Sequence, residues 1–194
     1  MDGRGSRLQL ACKVLQQLNI DIAILIEAKL NGRHTISSYG YDIMATKITH
    51  QSQGGVVIAS RRSKDWHLEG GEKFGSNVMK TTLVHDGRRT KIIGAYIPPS
   101  ETDLQTTHYI DQALTNETPE KCILLGDFNL NYEQPKDHRT ELIVDSLKSY
   151  DFRNLATKFK STRKKPYWWT WRKFREGRRV QSICDYIFYR KRLQ

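Results

Sequence analysis

The feature that most constrains the fold is a succession of short apolar runs, each stopped by a charged or turn-forming residue. "DIAILI" at 21–26, "YDIMAT" at 41–46, "GGVVIAS" at 54–60, "NVMKTTLV" at 77–84, "TKIIGAYI" at 90–97 and "KCILL" at 121–125 are β-rich and bounded by Gly, Pro, Asn or Asp. Such runs read as strands, and the unbroken apolarity of "DIAILI" fits a strand covered on both faces. Helical spacing separates some of them. Residues 6–18 place Leu8, Leu10, Ala11, Val14, Leu15 and Leu18 on one expected inward stripe, with Ser6 as N-cap. Residues 101–116, with Leu104, His108, Ile110, Ala113 and Leu114, and residues 136–150, with Leu142, Ile143, Leu147 and Tyr150, repeat the pattern. Near the end "YWWTWRKF" and "QSICDYIFY" read as two strands joined by "REGRR" as a hairpin. Several strands adjoin one another without strict strand–helix–strand alternation. The expectation is therefore an α+β fold of two mixed β-sheets packed face to face, with flanking helices.

No repeat, low-complexity block or Pro/Ser-rich linker interrupts the 194 residues, so residues 1–194 are expected to form a single domain. No stretch approaches the roughly 18 to 20 continuous apolar residues of a membrane span, and the N-terminus lacks the apolar core of a secretory signal. That reading expects an intracellular protein with no membrane partner. Cys12, Cys122 and Cys184 are odd in number, widely spaced and set among apolar neighbours, which suits reduced core thiols better than disulfides or a zinc site.

Charge is unevenly placed. Of the net +11, the segment from Arg153 to Gln194 carries 14 Lys and Arg against Glu176 and Asp185, a regional +12 that leaves the first 152 residues at −1. A concentrated basic region favours a polyanion such as nucleic acid, its plainer alternative being a solvated basic face. Between Lys158 and Arg179, ten Lys and Arg interleave with Phe159, Tyr167, Trp168, Trp169, Trp171 and Phe174. Aromatic faces can stack on unpaired bases, but strand alternation would turn at least one aromatic pair into the core. The candidate phosphate contacts are Arg163, Lys164, Lys165, Arg172, Lys173, Arg178 and Arg179.

Four apolar runs end in, or contain, polar residues suited to chemistry: Glu27 after "DIAILI", Tyr96 before "IPPS", Asp127 and Asn129 in "CILLGDFNLN", and Asp185 in "SICDYIF". Loops at strand ends commonly carry sites because the sheet holds them rigidly. Singly, each has a plain structural reading: a surface acid, a core tyrosine with its hydroxyl capped, or turn formers.

Together they are more specific. "LNIDIAILIEAKL", "QGGVVIAS", "IIGAYIPPS", "LLGDFNLN" and "TW…SICDYIF" occur in the order and at intervals similar to those of the endonuclease/exonuclease/phosphatase superfamily. The chain most resembles the apurinic/apyrimidinic-type endonuclease domains of non-LTR retrotransposons, over nearly its whole length. The resemblance implies a DNase I-like four-layer α/β sandwich and Mg²⁺- or Mn²⁺-dependent hydrolysis of a DNA phosphodiester. By match, Glu27 would bind the metal and Asp127 would orient or deprotonate the attacking water. Asn129 would hold that water and the phosphate, Tyr96 would donate to a phosphate oxygen, and Asp185 would fix a catalytic histidine.

Two family motifs have no counterpart here. No residue matches the Asn of the first-strand motif, and no Ser-Asp-His strand follows the "DYIF" block, none of the six histidines taking its place. The expectation is a fragment, impaired as an endonuclease, of an element that nicks target DNA to prime reverse transcription. Its partners would be DNA and, in the full-length element, a reverse transcriptase domain, with the domain itself a monomer, nuclear in a eukaryotic source. Two alternatives remain open: a catalytically inactive nucleic-acid-binding remnant, and a superfamily phosphatase acting on a phosphate outside nucleic acid.

Overall fold

A computed structural model describes residues 3–28, 30, 39–46, 55–99, 103–115, 121–132, 135, 137–156, 171–175, 178–182 and 184–190. The element order is α1 (Gly3–Gln17), β1 (Ile22–Ile26), β2 (Tyr41–Ala45), β3 (Val56–Arg61), β4 (Trp66–Phe74), β5 (Val78–His85), β6 (Arg88–Tyr96), α2 (Asp103–Leu114), β7 (Cys122–Asp127), α3 (His138–Ser149), β8 (Arg153–Asn154), β9 (Trp171–Arg175), β10 (Arg178–Ser182) and β11 (Asp185–Arg190). One sheet has the order β1-β3-β2 and a larger one the order β4-β5-β6-β7-β11-β8, with β9 and β10 paired apart. Within the larger sheet β6 and β7 run parallel, while the other pairings are antiparallel.

Alternation along the strands sorts the apolar side chains into three packed zones. Ile22, Ile24 and Ile26 of β1 and Val56 and Ile58 of β3 meet Met79 and Tyr96 of the larger sheet. On the opposite face of this sheet, Val57 and Ala59 of β3 and Ile43 of β2 pack with Leu8 and Cys12 of α1. On the far side of the larger sheet, Ile93, Ala95 and Leu124 pack with Ile110 of α2 and Ile143 and Leu147 of α3. The layers are thus helix, sheet, sheet, helices, the four-layer arrangement expected. Close approach of the sheets depends on Gly94, where an added Cβ would lie 2.9 Å from Ile24 Cγ2 and 3.0 Å from Val56 Cγ1.

Several local expectations need correction. In α1 the stripe is narrower than read: Leu8 and Cys12 are buried, but Leu10 and Leu18 are 63% and 65% exposed, and Ser6 lies inside the helix rather than capping it. In α3 the buried residues are Thr140, Ile143, Val144 and Leu147, and Tyr150 at the C-cap packs against the same core as expected, whereas Leu142 faces outward. Asp137 is the N-cap, its carboxylate accepting from Thr140 N at 2.8 Å. His108 of α2 is exposed. β4 was not foreseen, because "WHLEGGEKF" mixes charges with two glycines, yet it forms an edge strand with a register shift between Glu69 and Glu72. A bulge of this kind accommodates Gly70 at φ 66° and blunts the edge. The two-residue β8 was also missed.

The expected C-terminal hairpin is realised in part. β9 and β10 pair antiparallel, with Phe174 opposite Arg179 and Lys173 opposite Val180. "DYIFY" instead forms β11 of the larger sheet, because Tyr186 and Phe188 are buried with Phe128 in its core. Cys12 and Cys122 are buried and Cys184 is half-buried, and no disulfide joins the three. Among the described residues no helix is long and apolar enough to cross a membrane.

Candidate active site

The ends of β6, β7 and β11 form a lateral row. Tyr96 is the register partner of Asp127 across the parallel β6–β7 pair, and Asp127 is the partner of Asp185 across the antiparallel β7–β11 pair. Directly paired residues point to the same face of a sheet, so strand pairing alone brings these three together. Glu27 reaches the row from the smaller sheet: its Oε1 accepts a hydrogen bond from the Tyr96 hydroxyl at 2.5 Å. Four of the five expected catalytic or metal residues therefore meet at one end of the sandwich, and Asn129 lies in the loop just beyond β7.

Each position is held by local structure. The backbone of Glu27 has φ 50°, a left-handed conformation that costs a non-Gly residue roughly 1–2 kcal/mol. This reversal follows the last residue of β1, and Ala28 N then bonds Gly55 O at 3.2 Å. Asn129 is also left-handed, φ 46°, a conformation Asn tolerates well. Its backbone N donates to Asp127 Oδ1 at 2.9 Å, and its side-chain Nδ2 donates to Ile97 O at 3.0 Å. Gly126 has no room for a side chain, since a Cβ there would sit 1.7 Å from the Ala95 carbonyl oxygen. Phe128 anchors the loop from beneath, fully buried and edge-on to Phe188 at a centroid distance of 5.2 Å.

The electrostatics single out Asp127. Burial pushes its carboxyl above the usual range, and the negative charges of Asp185 and Glu27 push it further, against the lowering effect of the Asn129 hydrogen bonds. Perturbed carboxyls of this kind concentrate at functional sites. The Glu27 carboxylate offers only oxygen donors, which suit a hard cation such as Mg²⁺ or Mn²⁺. Among the described residues no group of three or more His, Cys, Asp or Glu side chains is placed to hold a metal ion. Mg²⁺ commonly takes one or two carboxylates and fills its remaining positions with water and substrate phosphate.

Other contributors lacked any local signature in the sequence. Arg139, at the start of α3, donates from Nη2 to Pro98 O at 2.7 Å, so the turn after Tyr96 is held at successive carbonyls by Asn129 and Arg139. Thr46 Oγ1 accepts from Val56 N at 2.9 Å and donates to Ser76 O at 2.7 Å, tying the two sheets together near this end. Among the phosphate-contact candidates, Arg163, Lys164 and Lys165 lie outside the described residues. Arg172 and Lys173 lie on β9 and Arg178 and Arg179 on β10. The described histidines His67, His85, His108 and His138 lie on β4, β5, α2 and α3, none of them a strand of the row.

Residues 2–194 match the sequence model of the Endonuclease/Exonuclease/phosphatase family. No curated protein sequence matches the chain. Solved structures share its fold. The endonuclease domain of TRAS1, a telomere-specific non-LTR retrotransposon, superposes with a TM-score of 0.70 at 16% identity, covering 93% of this chain and 77% of that one. TDP2 from D. rerio, complexed with a single-strand DNA product, gives 0.62 at 13% identity, covering 97% of this chain and 78% of that one. The human Nocturnin catalytic domain with bound sulfate gives 0.61 at 13% identity, covering 94% of this chain and 74% of that one. At these identities the likeness is one of fold, and the fold is the DNase I-like sandwich expected.

Proposed function

Because the chain belongs to the endonuclease/exonuclease/phosphatase family, we propose that it hydrolyses phosphodiester bonds of DNA with a divalent metal, as the nicking endonuclease domain of a retroelement. The observation that carries this reading is the row of Tyr96, Asp127 and Asp185 on three adjacent strands, with Glu27 hydrogen-bonded to Tyr96. The TRAS1 domain supports a retroelement setting and the DNA-bound TDP2 a DNA substrate. The basic segment after Arg153 favours a polyanion over a small soluble phosphate.

In the proposed mechanism Asp127 takes a proton from the attacking water, its raised proton affinity bringing it closer to the working pH of a general base. Asn129 acts on Asp127, since its backbone N–H fixes one carboxylate oxygen and its amide fixes the Ile97 carbonyl. The Tyr96 hydroxyl, released from Glu27, donates to a non-bridging phosphate oxygen as charge grows there. Glu27 would hold Mg²⁺ or Mn²⁺, and the bound cation would offset negative charge on the phosphate during in-line attack. A reverse transcriptase domain in the same element would use the nicked strand.

Incubation with supercoiled plasmid tests the proposal. Mg²⁺ should convert it to the nicked circle and EDTA should stop conversion. Salt-sensitive DNA binding with no nick would establish the inactive, binding-only reading instead.

A further inference from the structure

Beside the catalytic row lies a cavity of about 260 Å³, walled by Leu8 and Ala11 of α1, Leu25 of β1 and Leu30, with Arg7 and Glu27 as its charged members. It is smaller than the roughly 300–1,000 Å³ of pockets for drug-sized ligands, a size for one small flat or compact group. Its chemistry is divided. The apolar walls offer no hydrogen-bond pattern for reading a base, while Arg7 is exposed and forms no ion pair among the described residues. Glu27 belongs to both places, since the residue that lines the cavity also accepts the Tyr96 hydroxyl. A polymer whose phosphate sits at the row thus has one neighbouring unit within reach of the cavity.

From this continuity we propose that the cavity is a subsite for the nucleotide next to the scissile phosphate, Arg7 pairing with that nucleotide's own phosphate while its sugar and base lie against Leu8, Ala11 and Leu30. The proposal rests on the phosphodiesterase reading of the row. It assigns binding without base selectivity, because the charged lining among the described residues is one cation, Arg7, and one carboxylate, Glu27. Arg7 is the anchor: its planar guanidinium meets a phosphate in two parallel hydrogen bonds, which lysine cannot reproduce.

Thymidine 5′-monophosphate is the probe, followed through the methyl resonances of Leu8, Ala11, Leu25 and Leu30 in the full chain, with circular dichroism confirming that each variant is folded. The expected result is that the nucleotide shifts these methyls. Arg7→Ala should weaken binding at least about tenfold, the loss of a hydrogen bond to a charged group, and Arg7→Lys should restore only part of it. Ala11→Leu, which fills the cavity from a half-exposed helix position, should abolish binding. Unshifted methyls, or undiminished binding by Ala11→Leu, would overturn the subsite, as would inorganic phosphate alone reproducing the shifts. Plasmid nicking reports separately on the reading beneath: nucleotide binding without nicking removes the catalytic claim and keeps the subsite. With nicking intact, Arg7→Ala should raise KM and leave kcat unchanged, and an unchanged KM would count against the subsite alone.

Discussion

At Asp127 folding and the proposed chemistry make opposite demands. The side chain is half-buried between two other carboxylates, and burial first, then Asp185 and Glu27, raise its carboxyl above the ordinary range. In the metal-free chain the folded state therefore holds the Asp127 proton more tightly than the unfolded chain does. Stability should fall as pH rises from the ordinary carboxylate range through the raised value, and above it the full penalty is present. Asp127→Asn removes the charge while keeping the shape. It should raise Tm at neutral pH, with the gain shrinking towards about pH 4, where the wild-type side chain is increasingly protonated. Equal melting of the two proteins across that range would contradict the account of Asp127. Under the proposed function Glu27, at φ 50°, is a second position where backbone strain accompanies a site residue. The sequence named Glu27, Tyr96, Asp127, Asn129 and Asp185, but the left-handed turns and the Arg139 bond to Pro98 carried no local signal. Each depends on residues far apart in the chain.

Among the elements, the end of β7 depends most on one residue. Gly126 pairs with Ala95 of β6, and its Cβ position is occupied by the Ala95 carbonyl. Gly126→Ala must move one strand away from the other and with it the Tyr96–Asp127 pairing. It should cost at least about 3 kcal/mol, read as a lowered urea midpoint. A midpoint within about 0.5 kcal/mol of wild type would show that the strand end is looser than its geometry implies. The strands best read from sequence, β1, β2, β3, β5, β6 and β7, are those with long apolar or alternating runs. β4 escaped because its charges and glycines suit an exposed edge, and a two-residue strand such as β8 has no periodicity to read. On α1 the apolar count overstated the buried face: helical geometry puts Leu8, Cys12 and Leu15 together, and leaves Leu10 and Leu18 outward.

Across the whole molecule the charge is divided between a nearly neutral body and a basic end that includes the β9–β10 hairpin. If this end tracks a DNA backbone, replacing Arg172, Lys173, Arg178 and Arg179 together by Ala should weaken duplex binding. It should also flatten the dependence of log K on log salt by about 0.9 for each phosphate that the variant no longer neutralises. An unchanged slope would make the hairpin a solvated face. The layer order and the site's position were legible because five blocks keep their order along the chain. Which surface would face DNA was not, because composition shows how much charge there is and not which way it points. The most direct measurement of the central claim is single-turnover cleavage of duplex DNA with Mg²⁺ by wild type and Asp127→Asn. The cleavage rate should drop at least about 100-fold with DNA affinity unchanged or slightly improved. Cleavage by Asp127→Asn at the wild-type rate would remove Asp127 from the chemistry and contradict it.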